Sequence, residues 1–181
     1  MILNRIINIC LFTVLAGALL GAAAPAWAGN GLRPHQNWAL GYVTVVGTSY
    51  YADPIPDNYR YEQTLAAVLL QESSLCRHKR GLDRTGYGCG QLHQRAAHVA
   101  NGKPVSVHKL RHDDALNIRL AARYLAFCMT HTSSWERGVV CYNKGPSRAR
   151  SMSDQQIAAD GYLASIRHRM RTARNLLADL D

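Results

Sequence analysis

Tyr61-Glu62-Gln63-Thr64-Leu65-Ala66-Ala67-Val68-Leu69-Leu70-Gln71-Glu72-Ser73 is the stretch on which the reading of this chain turns. Leu65, Val68, Leu69 and Glu72 fall at spacings of three, one and three, so they lie on one face of a helix. A carboxylate that continues an apolar stripe is costly unless it is paired or protonated. At the mouth of a cleft the same setting favours the neutral acid, which can give its proton to a leaving oxygen. A buried Glu72 salt-bridged to a nearby arginine such as Arg77 is the competing reading of the stripe.

The segments downstream are helical as well. Residues 77–90, rich in Gly and charge, read as a loop or small hairpin. A short helix is expected from Gln94 to Ala100, stopped by Asn101-Gly102. Asp113 or Asp114 can cap a helix running to about Met129, with Leu116, Leu120, Tyr124 and Leu125 along it. Ser133 with Glu136 predicts a capping box and a helix to about Tyr142. Ser153 with Gln156 repeats that signal for a last helix over 154–180, striped by Tyr162, Ile166, Met170, Ala173, Leu177 and Leu180. Upstream, Tyr42-Val43-Thr44-Val45-Val46 looks β-like, and Asp53-Pro54-Ile55-Pro56-Asp57-Asn58 reads as a loop. The expected architecture is a mainly α single domain over residues 60–181, with a small loop or hairpin beside its cleft and an N-terminal arm over 29–59.

At the N-terminus, Arg5 precedes an uncharged apolar run from Ile6 to Ala24, then the small-x-small sequence Ala26-Trp27-Ala28. That order of parts is the pattern of a secretory signal peptide over residues 1–28. Its loss removes Arg5 and no acid, so the net charge of +9 becomes +8. No second apolar span follows Gly29, so no stable membrane span is expected after cleavage. A basic exported protein suits an anionic cell wall better than nucleic acid, and the arginines of the last helix lack the interleaved aromatics of a single-strand binder. Cys10 leaves with the signal. Cys76, Cys89, Cys128 and Cys141 remain, and an even count in an exported domain favours two disulfides. Three pairings are possible; the sequence-local pairs Cys76–Cys89 and Cys128–Cys141 are the expected ones. A structural zinc site is the rival, but no C-x-x-C spacing supports it.

Three further segments bear on Glu72-Ser73: Gly86-Tyr87-Gly88-Cys89-Gly90-Gln91-Leu92, then Asn117-Ile118-Arg119-Leu120-Ala121-Ala122-Arg123-Tyr124-Leu125, then Cys141-Tyr142-Asn143-Lys144-Gly145-Pro146. In this order they resemble the soluble lytic transglycosylase family, whose lysozyme-like domain carries an E-S pair, G-L-M-Q, N-I-x-x-G-x-x-Y-L and A-Y-N-x-G. The resemblance spans roughly residues 60 to 165. It makes Glu72 the catalytic acid/base and gives Ser73, Gly88, Gln91, Tyr142 and Asn143 to the substrate. The glycines would let backbone approach a sugar closely. Gln91 offers a donor and an acceptor, Tyr142 a flat face with a hydroxyl, and Asn143 an amide for an N-acetyl group. Tyr162 aligns loosely with a tyrosine the family holds near the sugar; it equally continues the last helix's apolar stripe. Three departures stand out: Cys89-Gly90 replaces the family's Leu-Met, Ala121 replaces its Gly, and Cys141 replaces the Ala of A-Y-N.

The resemblance implies cleavage between N-acetylmuramic acid and N-acetylglucosamine by one Glu, assisted by the substrate's own N-acetyl group, without metal or cofactor. It contrasts with the two-carboxylate pattern of most glycosidases. A goose-type hydrolase would instead need Asp83, Asp113 or Asp114 to position a water. A wall-binding module without turnover, in a secretion, pilus or phage-related envelope complex, is the non-enzymatic alternative. The histidines show no H-E-x-x-H, so no metal site is expected.

Overall fold

The computed structural model describes residues 31–47, 49, 60–79 and 85–180, and from Leu32 onward they form one compact unit. The signal segment 1–28 lies outside the described residues. Nine helices are present among them: α1 (Pro34–Gly47), α2 (Tyr61–Ser73), α3 (Gln94–Asn101), α4 (Val107–His112), α5 (Asp114–Thr130), α6 (Trp135–Lys144), α7 (Pro146–Ser151), α8 (Asp154–Ala158) and α9 (Gly161–Ala178). The only β pairing among the described residues is one antiparallel bridge between Tyr87 and Leu92. The fold is the mainly α, single lysozyme-like domain that the sequence predicts.

Helix α2 is the central element. Leu65, Ala66, Ala67, Val68 and Leu69 are all fully buried, so this helix is covered all round rather than on one stripe. Helix α9 packs along it more extensively than any other helix pair meets, and α1 and α5 flank it. Trp135, buried at the start of α6, donates its indole N–H to Thr64 Oγ1 at 3.1 Å. The buried Tyr61 hydroxyl donates to the carbonyl of Ala122. Both bonds satisfy polar atoms that would otherwise be costly inside the core.

Several helix boundaries follow the capping chemistry. Asp113 Oδ1 accepts the Leu116 N–H at 2.8 Å and opens α5. Ser153 and Gln156 form the expected capping box. Gly102, with φ +72°, ends α3 in the left-handed conformation that glycine adopts at least cost.

Other expectations are corrected. The β-like run 42–46 is helical, because Ala39, Leu40, Val43 and Val46 lie at helical spacing and are buried in the core. Burial of that face overrides the β preference of valine. The α6 cap is Ser134, whose Oγ accepts the Arg137 N–H at 3.2 Å, not Ser133. The single last helix is two, α8 and α9, broken at Ala159-Asp160, where Asp160 caps α9 by accepting from Tyr162 and Leu163 N–H. Two short helices, α4 and α7, lie where no helix is predicted.

Both sequence-local disulfides form, with Cα–Cα distances of 4.3 Å for Cys76–Cys89 and 5.6 Å for Cys128–Cys141. The first ties the end of α2 to the loop before α3; the second staples α5 to α6. All four sulfurs are thus committed, which removes the zinc reading.

Candidate active site

The end of α2 presents Glu72, half-buried in its last turn. Its Oε1 accepts the Tyr162 hydroxyl at 2.6 Å, a contact across 90 residues of sequence. Tyr162 sits in the first turn of α9, whose N-terminus Asp160 holds through the N–H groups of Tyr162 (3.0 Å) and Leu163 (3.1 Å). Asp160 also pairs with Lys144 at 3.3 Å. Next to Glu72, Gln71 Oε1 accepts Arg169 Nε at 2.6 Å and the Ser165 hydroxyl. Helix α9 therefore grips two successive residues of α2. Burial, and after it the nearby negative charge of Glu72, pushes the Tyr162 phenol well above its ordinary pKa. It stays a hydroxyl donor at physiological pH.

Beyond Glu72 the chain turns sharply. Ser74, Leu75 and Cys76 have φ of 53°, 55° and 67°, three successive residues in the left-handed region. Each costs about 1 kcal/mol there. The turn is held from several sides: Leu75 is fully buried, Cys76 is in a disulfide, and Gln36 Nε2 of α1 donates to Ser74 O at 2.8 Å. Ser73, also buried, donates to Cys89 O at 2.6 Å and accepts from Cys76 N–H at 2.8 Å. Its hydroxyl joins the helix end to the glycine loop.

The loop over 86–92 is organised by Asn117, a residue of α5 with no exposed surface. Asn117 Oδ1 accepts Gly90 N–H at 2.8 Å, and its Nδ2 donates to Tyr87 O (2.9 Å) and Leu110 O (3.0 Å). Tyr142 donates to Gly90 O at 2.8 Å, so both backbone groups of Gly90 are held. A Cβ on Gly88 would lie 2.2 Å from Asn117 Nδ2, and one on Gly90 would lie 2.6 Å from Ala121 Cβ. Protein packing alone therefore requires both glycines. Gln91, at φ 47°, donates to Gly88 O at 2.7 Å, while its buried Oε1 has no hydrogen-bond partner. Asn117 has no role assignable from the sequence; the one signal there is an amide three residues after the Asp114 that opens α5, on a helix whose following core positions are apolar.

Beside this loop lies a groove of about 520 Å³. Tyr124 and Phe127 of α5, Tyr142 to Lys144 of α6, Gly145 to Arg148, and residues of α3 line it. Glu72 is not among its lining residues. Tyr142 links the two regions: its ring lines the groove, packs on Tyr124 at 5.6 Å, and its phenol pKa is raised well above normal by burial and then by the Glu72 charge. Asn143 is exposed at the groove, and Lys144-Gly145-Pro146 borders it. Thus the structure gathers Glu72 with Tyr162 and Tyr142, and puts Ser73, Gly88 and Gln91 in the adjoining loop network.

The one grouping of potential metal ligands among the described residues is Cys76, Cys89 and Asp114. Its sulfurs are joined in the disulfide, and Asp114 pairs with Lys79 at 2.6 Å. That grouping offers no metal site.

Residues 56–164 match the model of the transglycosylase SLT domain, and the chain belongs to that family. No curated protein and no solved structure matches the chain. Membership gives peptidoglycan as the substrate class, lytic transglycosylase activity in general terms, and a role outside the cytoplasm. Among the described residues no helix is long and apolar enough to cross a membrane.

Proposed function

We propose that the protein cleaves the β-1,4 bond between N-acetylmuramic acid and N-acetylglucosamine, leaving a 1,6-anhydromuramoyl end. The observation that carries this reading is the half-buried Glu72 carboxylate, gripped through Oε1 by the hydroxyl of the half-buried Tyr162 at 2.6 Å. Tyr162 orients the group, so the proton in transit rides on Oε2. Glu72 protonates the leaving O4 of N-acetylglucosamine while the muramoyl N-acetyl oxygen closes on C1. The resulting Glu72 carboxylate takes the proton from the muramoyl 6-hydroxyl, whose oxygen attacks C1 and expels the N-acetyl oxygen. Glu72 ends protonated, and no water, metal or cofactor is consumed. Gln91 and Asn143 are the polar contacts we assign to the sugar, with Tyr142 as its apolar face. Ser73 and Gly88 act through the loop they shape.

Hydrolysis is the weaker reading. Asp113 is occupied as the cap of α5 and Asp114 is paired with Lys79, while Asp83 lies outside the described residues. Export through the 1–28 signal, with local wall opening for an envelope-spanning apparatus, completes the proposal. Digestion of purified sacculi by the protein and by Glu72→Gln, read by mass spectrometry, tests it. Anhydromuramoyl products from the first and none from the second are expected. Products that have gained water would make the protein a lysozyme, and no cleavage by either would favour a binding role.

A further inference from the structure

Helix α1 lies outside residues 56–164, the part of the chain that matches the family model, yet it reaches the turn that follows Glu72. Gln36, Leu40 and Val43 share one face of α1, and all three are buried. Leu40 and Val43 are ordinary core residues. Gln36 is not, because a buried amide costs free energy unless both its ends are bonded. Its Oε1 accepts the Arg33 N–H at 3.0 Å, and its Nε2 donates to Ser74 O at 2.8 Å, 38 residues along the chain. The first bond caps α1 locally, and a glutamate would supply it equally well. Only the second needs an N–H donor.

Ser74 is the first of the three consecutive residues at positive φ and stands two residues after Glu72. The N–H groups of Ser74 and Leu75 turn back to Leu70 O (3.2 Å) and Leu69 O (3.0 Å), so α2 is closed from within on that side. Gln36 holds the other side, the carbonyl of Ser74, and thereby the orientation of the peptide that enters the left-handed run. A change in that peptide would be felt at Ser73, whose hydroxyl is bonded to both Cys76 and Cys89, and so at Glu72. The Tyr162 bond to Glu72, at 2.6 Å, would be lost on a shift of about 1 Å. We infer that Gln36 is a positioning residue for Glu72: by donating to Ser74 O it fixes the turn after α2 and so keeps the Glu72 carboxylate within reach of Tyr162. The inference rests on the reading of Glu72 as acid/base given above. It makes α1 part of the catalytic apparatus, although Gln36 acts only through the turn.

Two substitutions separate the two bonds. Gln36→Met keeps the volume and loses both; Gln36→Glu keeps the α1 cap and loses only the donor to Ser74 O. Each protein is assayed on sacculi well below its melting temperature, and the rate is counted as glycosidic bonds broken, whichever end results. Both variants are expected to lose kcat about 10- to 100-fold with KM unchanged. Leu40→Ala, one turn along the same face, takes core packing from α1 and leaves the bond; it should melt at a lower temperature and keep the native kcat. A second readout needs no turnover. The carbon-13 signal of the Glu72 carboxyl, assigned by its absence in Glu72→Gln, should move in both Gln36 variants as it moves in Tyr162→Phe. Native kcat in Gln36→Glu would reduce Gln36 to a helix cap, and an equal loss in Leu40→Ala would reduce it to packing. Either result overturns the inference, as does a Glu72 signal that stays at its native position. A native protein that breaks no glycosidic bond would refute the function proposed above, while the Glu72 signal would still decide for or against Gln36.

Discussion

Gly90 and Ala121 depart from the family pattern in opposite directions: a methionine position has lost its side chain, and a glycine position has gained a methyl. The structure makes these one event. A Cβ on Gly90 would lie 2.6 Å from Ala121 Cβ and 2.8 Å from the Tyr142 hydroxyl, against an ordinary contact of 3.4–4 Å. Ala121 Cβ cannot rotate away, because it is attached directly to the α5 backbone. Gly90→Ala therefore forces the loop outward and weakens the Tyr142–Gly90 bond, for a loss of about 3 kcal/mol. Ala121→Gly alone costs about 1 kcal/mol, the helix penalty of glycine. In the double variant the nearer clash is gone, so the total should be about 2 kcal/mol rather than the additive value of about 4. Urea unfolding of the four proteins gives the coupling directly. Additivity within about 0.5 kcal/mol, or a Gly90→Ala protein as stable as the native one, would refute the packing argument. Release of anhydromuropeptides should follow the same order, because the loop carries Gln91.

Three other outcomes are expected. Tyr162→Phe removes the hydroxyl from Glu72 and leaves the ring, so kcat on sacculi should fall about 10- to 100-fold with little change in KM, corresponding to one charge-assisted bond; an unchanged kcat would mean the bond plays no part in catalysis. Tyr142 and Tyr162 have folded pKa values raised above the unfolded value of 10.0, so stability is unaffected below that pH and declines above it as the unfolded chain ionises. Absorbance at 295 nm should show both phenols ionising only as the protein unfolds, and early ionisation would contradict their burial. Deleting residues 29–59 strips Ala39, Leu40, Val43 and Val46 from the core, and Leu40→Ala alone should cost about 2–5 kcal/mol by thermal denaturation. A truncated chain with native stability and sacculus-cleaving activity would show the N-terminal segment to be an accessory.

Local chemistry was readable wherever it acts over a few residues. The stripe that ends in Glu72, the Asp113 cap, the Ser153–Gln156 box and the stop at Gly102 all depend on neighbours within one or two helical turns. Local reading failed where distant burial decides the outcome. The valine-rich 42–46 run looks like a strand until α2 and α5 cover its helical face. Asp160 interrupts a pattern that Ser153 alone would carry onward, since its side chain serves a second helix.

Two roles were not assignable from local order. Asn117 acts as the hub of the glycine loop because its α5 position faces Tyr87, Gly90 and Leu110 at once. Tyr162 belongs both to the apolar stripe and to the site, and only the packing of α9 on α2 gives its hydroxyl to Glu72. By itself the sequence determined that α2, α3, α5 and α6 form, that Glu72 is a carboxylate on an otherwise apolar face, and which motifs accompany it. The tertiary structure decided what surrounds that carboxylate, because hydrogen bonds between residues 90 apart depend on how whole helices pack, and periodicity carries no information about that.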